Sequence, residues 1–134
     1  MKKVIGSVAL GLALLGCMGQ KTEMRSAEAA PAAKASIEAS EGGNGNTKLE
    51  VKVEHLAPPE SVAQDASVYV VWAKPRTGEA MEQNLGALRV DTDRKGKLTT
   101  VTPLRSFDVL VTPEASPQAT RPSHDPVLTG KVER

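Results

Sequence analysis

Prolines and glycines cut this chain into runs too short for ordinary helices, and that punctuation limits its fold more than any other feature. After residue 46 they fall at Pro58-Pro59, Pro75, Gly78, Gly86, Gly96, Pro103, Pro113, Pro117, Pro122, Pro126 and Gly130. Proline removes a backbone donor and fixes its own φ, so each one ends a helix or a central strand. What lies between reads as strands. Leu49, Val51 and Val53 alternate with Glu50, Lys52 and Glu54, the period-two signature of a half-buried strand. Ser67 to Ala73 (Ser-Val-Tyr-Val-Val-Trp-Ala) is apolar on both faces, which suits a central strand covered on both sides.

Further strands are predicted over Asn84–Val90, Leu98–Thr102, Phe107–Thr112 and Val127–Val132. Asp91 to Lys97 is a polar connection with Gly96 placed for a hairpin. No stretch of this region keeps a helical period. The pattern predicts an all-β fold, a small immunoglobulin-like antiparallel sandwich of about seven strands spanning 47–134. Tyr69 and Trp72, three residues apart on one strand, point to opposite faces. Trp72 is expected at the centre of the core beside Phe107, Val109 and Val111, with Tyr69 left open. Glu133 and Arg134 are expected to fray.

Ahead of this region the composition changes. Residues 17–46 are rich in Ala, Ser, Glu and Gly, carry Pro31 and end in Gly42-Gly43-Asn44-Gly45-Asn46, with Ile37 alone among alanines and methionines. Such a segment buries little apolar surface against its ordering entropy, and it is expected to be a disordered, flexible linker.

Residues 1–16 read as an export leader: Lys2 and Lys3, then the apolar run Val4–Leu15, then a small residue. As a helix that run would span roughly 18 Å, short of the ~30 Å hydrocarbon core, so it suits a signal better than a membrane span. Leu14-Leu15-Gly16-Cys17 resembles the lipobox of bacterial lipoproteins. The resemblance implies cleavage between Gly16 and Cys17, a diacylglyceryl thioether on Cys17, and acylation (palmitate or a similar chain) of the new amino group. Two or more chains anchor stably where one binds only reversibly. The chain would then be held in the cell envelope, facing the periplasm or the exterior. Met18 in place of an aspartate does not resemble the inner-membrane retention signal, which favours the outer membrane where there are two.

Cys17 is the only cysteine, so its use for lipid leaves no thiol for a disulfide, a metal or a nucleophile. From Thr47 onward 12 basic residues face 12 acidic ones, which gives no electrostatic footprint for nucleic acid. The expected partners are the membrane, through the lipid, and an envelope protein whose identity the sequence does not carry.

Asp91-x-Asp93-x-x-Gly96 looks like the start of a calcium loop, but Lys95 stands at the fifth position, which needs Asp or Asn, and Thr102 at the twelfth, which needs a bidentate Glu. His55 and His124 are far apart in sequence, beside Glu54 and Asp125, without the ligands of a metal site or the Gly-x-Ser-x-Gly turn of a hydrolase. No catalytic residue, cofactor or metal is expected, and the domain reads as a non-enzymatic binding or structural module.

One further likeness lies in the domain. Tyr69-Val70-Val71-Trp72-Ala73-Lys74-Pro75, the turn at Gly78, Asn84-Leu85-Gly86-Ala87-Leu88, Gly96, Val109-Leu110-Val111-Thr112-Pro113-Glu114 and Pro126-Val127-Leu128 occur in this order. Over Ser67–Leu128 the order resembles the carboxy-terminal extracytoplasmic domain of anti-sigma factors of the sigma-K-regulating kind. That resemblance implies a β-sandwich, and as an alternative role a periplasmic regulatory or sensor partner in envelope signalling. The family's sigma-binding domain and membrane helix have no counterpart in this sequence, so sigma-factor binding does not carry over.

Overall fold

The computed structural model describes residues 19–78 and 81–134. Its strands run β1 Gln20–Glu23, β2 Arg25–Ser26, β3 Lys34–Glu41, β4 Thr47–Glu54, β5 Val68–Pro75, β6 Gln83–Leu88, β7 Gly96–Thr102, β8 Ser106–Glu114 and β9 Leu128–Glu133, with one helical turn, α1 Pro59–Val62, before β5. They form two antiparallel sheets, β1-β3-β4-β7 and β2-β9-β8-β5-β6, packed face to face. This is the expected sandwich. Its connections depart from those of an immunoglobulin domain: β3 returns as β4 in the same sheet, and β7 is entered from and left to the other sheet.

The strand count rises to nine because the stretch expected as a flexible linker belongs to the fold. Gln20 to Glu41 supplies three strands, and β3 lies between β1 and β4 with an eight-residue register from Lys34↔Glu54 to Glu41↔Thr47. Its sequence Lys-Ala-Ser-Ile-Glu-Ala-Ser-Glu alternates, and Ala35, Ile37 and Ala39 are buried. Alanine contributes little apolar area by itself. Here the facing sheet supplies the bulk, and small side chains let the two layers close on each other. Ile37, 1% exposed, points at Gly130 of β9, where a Cβ would stand 2.6 Å from Ile Cδ1. Met24 separates β1 from β2, so the chain leaves one sheet and joins the other at that residue, stitching the layers together.

β4 turns Thr47, Leu49, Val51 and Val53 inward, and β8 does the same with Phe107, Val109 and Val111. β5 is buried from Val68 to Ala73, as a two-sided central strand should be. Which of its faces is the interior differs from expectation. The register with β8 pairs Val71 with Val111, Ala73 with Val109 and Pro75 with Phe107. Odd-numbered residues of both strands therefore share the inner face, and Tyr69, Val71 and Ala73 enter the main core. Trp72 pairs with Leu110 on the outer face and packs there with Val68 and Val70. Both aromatics are fully buried, in different layers.

At one end of the sandwich, here called the base, lie Gln20, the 42–46 turn, Pro75, Gln83, Thr102, Ser106 and Glu133. The last residue is docked there, not frayed. Arg134 donates to Thr47 Oγ1 (2.9 Å), Glu41 Oε1 (3.3 Å) and the Gly45 and Asn46 carbonyls (3.4 and 3.0 Å), and its N–H reaches the Arg105 carbonyl at 3.0 Å. The Gly45 N–H first, and then Arg134, hold the Glu41 carboxyl below its ordinary range.

Candidate functional site

A second connected polar arrangement begins at the opposite end, the tip, where the 115–126 loop leaves β8 and folds over the outer face of β5. That face is an apolar strip of Val68, Val70 and Trp72 flanked by Ala87, Leu110 and Ala119. An apolar strip on the outside of a sheet needs a cover, and the loop provides it. Trp72 Nε1–H donates to Thr112 Oγ1 at 2.8 Å, and Thr112 in turn donates to Glu114 Oε2 at 2.6 Å. Thr112 and Glu114 share a face of β8 because they stand two residues apart. Glu114 is 2% exposed, and a buried carboxylate is costly unless donors surround it. Ser123 supplies two, its N–H to Oε2 (3.0 Å) and its hydroxyl to Oε1 (2.6 Å).

The chain of contacts continues outward. Ser123 Oγ lies 3.0 Å from His124 Nδ1, and His124 Nε2 lies 3.1 Å from Asp65 Oδ1. Asp65, His124 and Ser123 are the residue types of a hydrolytic triad, but their roles differ from one. A nucleophilic serine gives its proton to the histidine. Ser123 points its hydroxyl at the Glu114 carboxylate instead, which fastens the loop to β8. Ser67 Oγ bonds the Ala115 carbonyl, and Asn84 Nδ2 bonds those of Pro117 and Ala119, so the loop is tied at three places.

Further along the outer face, Leu110 floors an open groove of about 480 Å³ walled by Glu23, Arg25, Asp108 and Lys131. Arg76 closes an ion pair with Asp108 (3.1 Å) and another with Glu133 (3.0 Å). The groove is an open surface whose walls carry both signs of charge.

Gly16 and Cys17 lie outside the described residues. His55 is exposed with φ 57°, turning the chain out of β4, and its neighbour Leu56 bonds Arg94 of the next turn. His124 takes Asp65 as its carboxylate, in place of Asp125 beside it in sequence. Among the described residues no three of His, Cys, Asp and Glu gather as metal ligands would. Asp91 Oδ1 accepts the N–H groups of Asp93 (2.8 Å) and Lys95 (3.0 Å), so this carboxylate closes its own turn.

The Glu114–Ser123 pair had no visible signal in the sequence beyond a glutamate ending a strong strand. Its partner is nine residues on, across an irregular loop, where no spacing rule applies. The chain matches no family model and no curated protein.

Proposed function

We propose that this protein is a lipid-anchored component of a bacterial cell envelope, and that its sandwich is a non-enzymatic binding or structural module. The observation that carries the reading is Leu14-Leu15-Gly16-Cys17 at the end of a short apolar run, with the only cysteine of the chain at the position that takes lipid. The rest of the molecule agrees with a passive, rigid module. Its Ser123, His124 and Asp65 are engaged in holding a loop, and its open groove carries mixed charge.

The test is Cys17→Ser in cells fed a labelled fatty acid. The parent chain should take up label and partition with membranes. The variant should be unlabelled, and unprocessed or soluble. Labelling and membrane partition equal to the parent's would end the anchor reading. A transmembrane regulator crosslinked to the lipidated parent would move the role from structure to envelope signalling.

A further inference from the structure

Cys17 stands three residues before Gln20, the first residue of β1. Three residues reach at most about 11 Å, even fully extended. From Gln20 to Glu41 the stretch expected as a flexible linker instead supplies three strands of the sandwich. A lipid on Cys17 therefore leaves almost no freedom of height. The end of the sandwich where β1 begins is the base, with the 42–46 turn, the start of β8 and the docked Arg134.

The surface of that end differs from the rest. Among the described residues the two exposed large apolar side chains are Met81 and Val101, 60% and 53% exposed. Met81 precedes β6 at its base end, and Val101 pairs with Lys48 one step above the base of β4. Lys48 and Arg105 are exposed there as well. Two of the acids at this end, Glu41 and Glu133, are paired with Arg134 and Arg76, while Glu82 is half-buried beside Met81. The 42–46 turn carries three glycines and no charge, so it can approach a surface closely. At the tip, exposed Glu54, Glu60, Asp65, Asp91 and Asp93 are interspersed with exposed Lys34, Arg89, Arg94 and Lys95, and among the described residues that end carries no exposed large apolar side chain to enter an interface.

We propose that the base of the sandwich lies against the phospholipid headgroups, with Met81 and Val101 in the interfacial layer and Lys48 and Arg105 at phosphate level, and that the tip with the Glu114–Ser123 loop faces away. Apolar side chains flanked by cations are the chemistry that such an interface accepts. The assignment rests on lipidation of Cys17. It fixes which end of the module a partner can reach.

The experiment uses the full lipidated chain in vesicles of phosphatidylethanolamine and phosphatidylglycerol that contain a headgroup-attached spin-label quencher. Ser106→Cys at the base and Ser61→Cys on α1 at the tip are near-isosteric and exposed. With the sulfur of Cys17 in a thioether, each variant has one thiol to carry a fluorophore. The two positions are separated by about the length of β8, nine residues or roughly 27 Å. Fluorescence at residue 106 should be quenched several-fold more than at residue 61, and Met81→Ser with Val101→Ser should shrink the difference. Equal quenching, or stronger quenching at residue 61, in a chain whose N-terminal peptide has the mass of a lipidated cysteine overturns the orientation and leaves the anchor standing. An unlipidated Cys17 in that peptide overturns the anchor itself, and the orientation with it.

Discussion

At the scale of single residues, two positions decide how closely this sandwich closes. Gly130 gives Ile37 and Met24 their space: a Cβ there would lie 2.6 Å from Ile37 Cδ1 and 3.1 Å from Met24 Cγ. Both neighbours are themselves buried, so the strain has no easy outlet. Gly130→Ala should destabilise the fold by about 1–3 kcal/mol, the usual cost of overpacking, read as a lower denaturant midpoint. Tyr69 is the second position. Its ring is in the core and its hydroxyl donates to the Ala57 carbonyl at 2.6 Å. Burial first, and then the charge of Glu60, push its pKa up to about 12 from an ordinary 10. A raised pKa means that the folded state keeps its proton where the unfolded chain has lost it. The stability from this group is therefore complete below pH 10 and is lost as the pH rises toward 12. Tyr69→Phe should be less stable than the parent at neutral pH by about 1 kcal/mol, for the lost hydrogen bond. The gap should close or reverse between pH 10 and pH 12 in paired denaturation curves.

At the scale of elements, the legible strands were those whose alternation contrasts large apolar with charged residues. β4, β5 and β8 stand where the sequence places them, within a residue or two at the ends. β3 alternates just as regularly, yet its inward set is Ala35, Ile37 and Ala39, and alanine reads equally as linker or weak helix. The hairpin at Asp91–Gly96 is also legible in its turn chemistry. Its strands nevertheless go to different sheets, joined only by the Val90–Gly96 bridge, because turn residues specify a reversal and not the layer that follows it. The docking of Arg134 depends on Glu41 and Thr47, far away in sequence, and a terminal arginine gives no hint of it.

At the scale of the whole molecule, the sandwich is continuous from Gln20 to Arg134. β3 occupies an interior place in its sheet, and β1 and β2 join the two layers through Met24. Removing 19–46 would strip one sheet to β4 and β7 and expose Leu49, Val51 and Val53, each now at most 2% exposed. A chain starting at Thr47 should therefore fail to fold cooperatively, with collapsed amide dispersion in NMR spectra, while a chain starting at Gly19 should fold. A folded, cooperative Thr47–Arg134 would contradict the description of β3 as part of the core. With Cys17 lipidated as proposed, the same continuity would hold the module close to the membrane surface.

Fold class and candidate address were both written in local pattern. Alternation and proline punctuation are properties of neighbouring residues, and a lipobox is recognised by four adjacent ones. Packing chose which face of β5 is the interior, because alternation defines two faces and only the register with β8 selects between Tyr69 and Trp72. Packing also made core out of an alanine-rich stretch, because a small side chain is worth burying only when an opposite layer fills the remaining space. And it brought Glu114 to Ser123, a meeting that depends on the path of an irregular loop and that no residue spacing encodes.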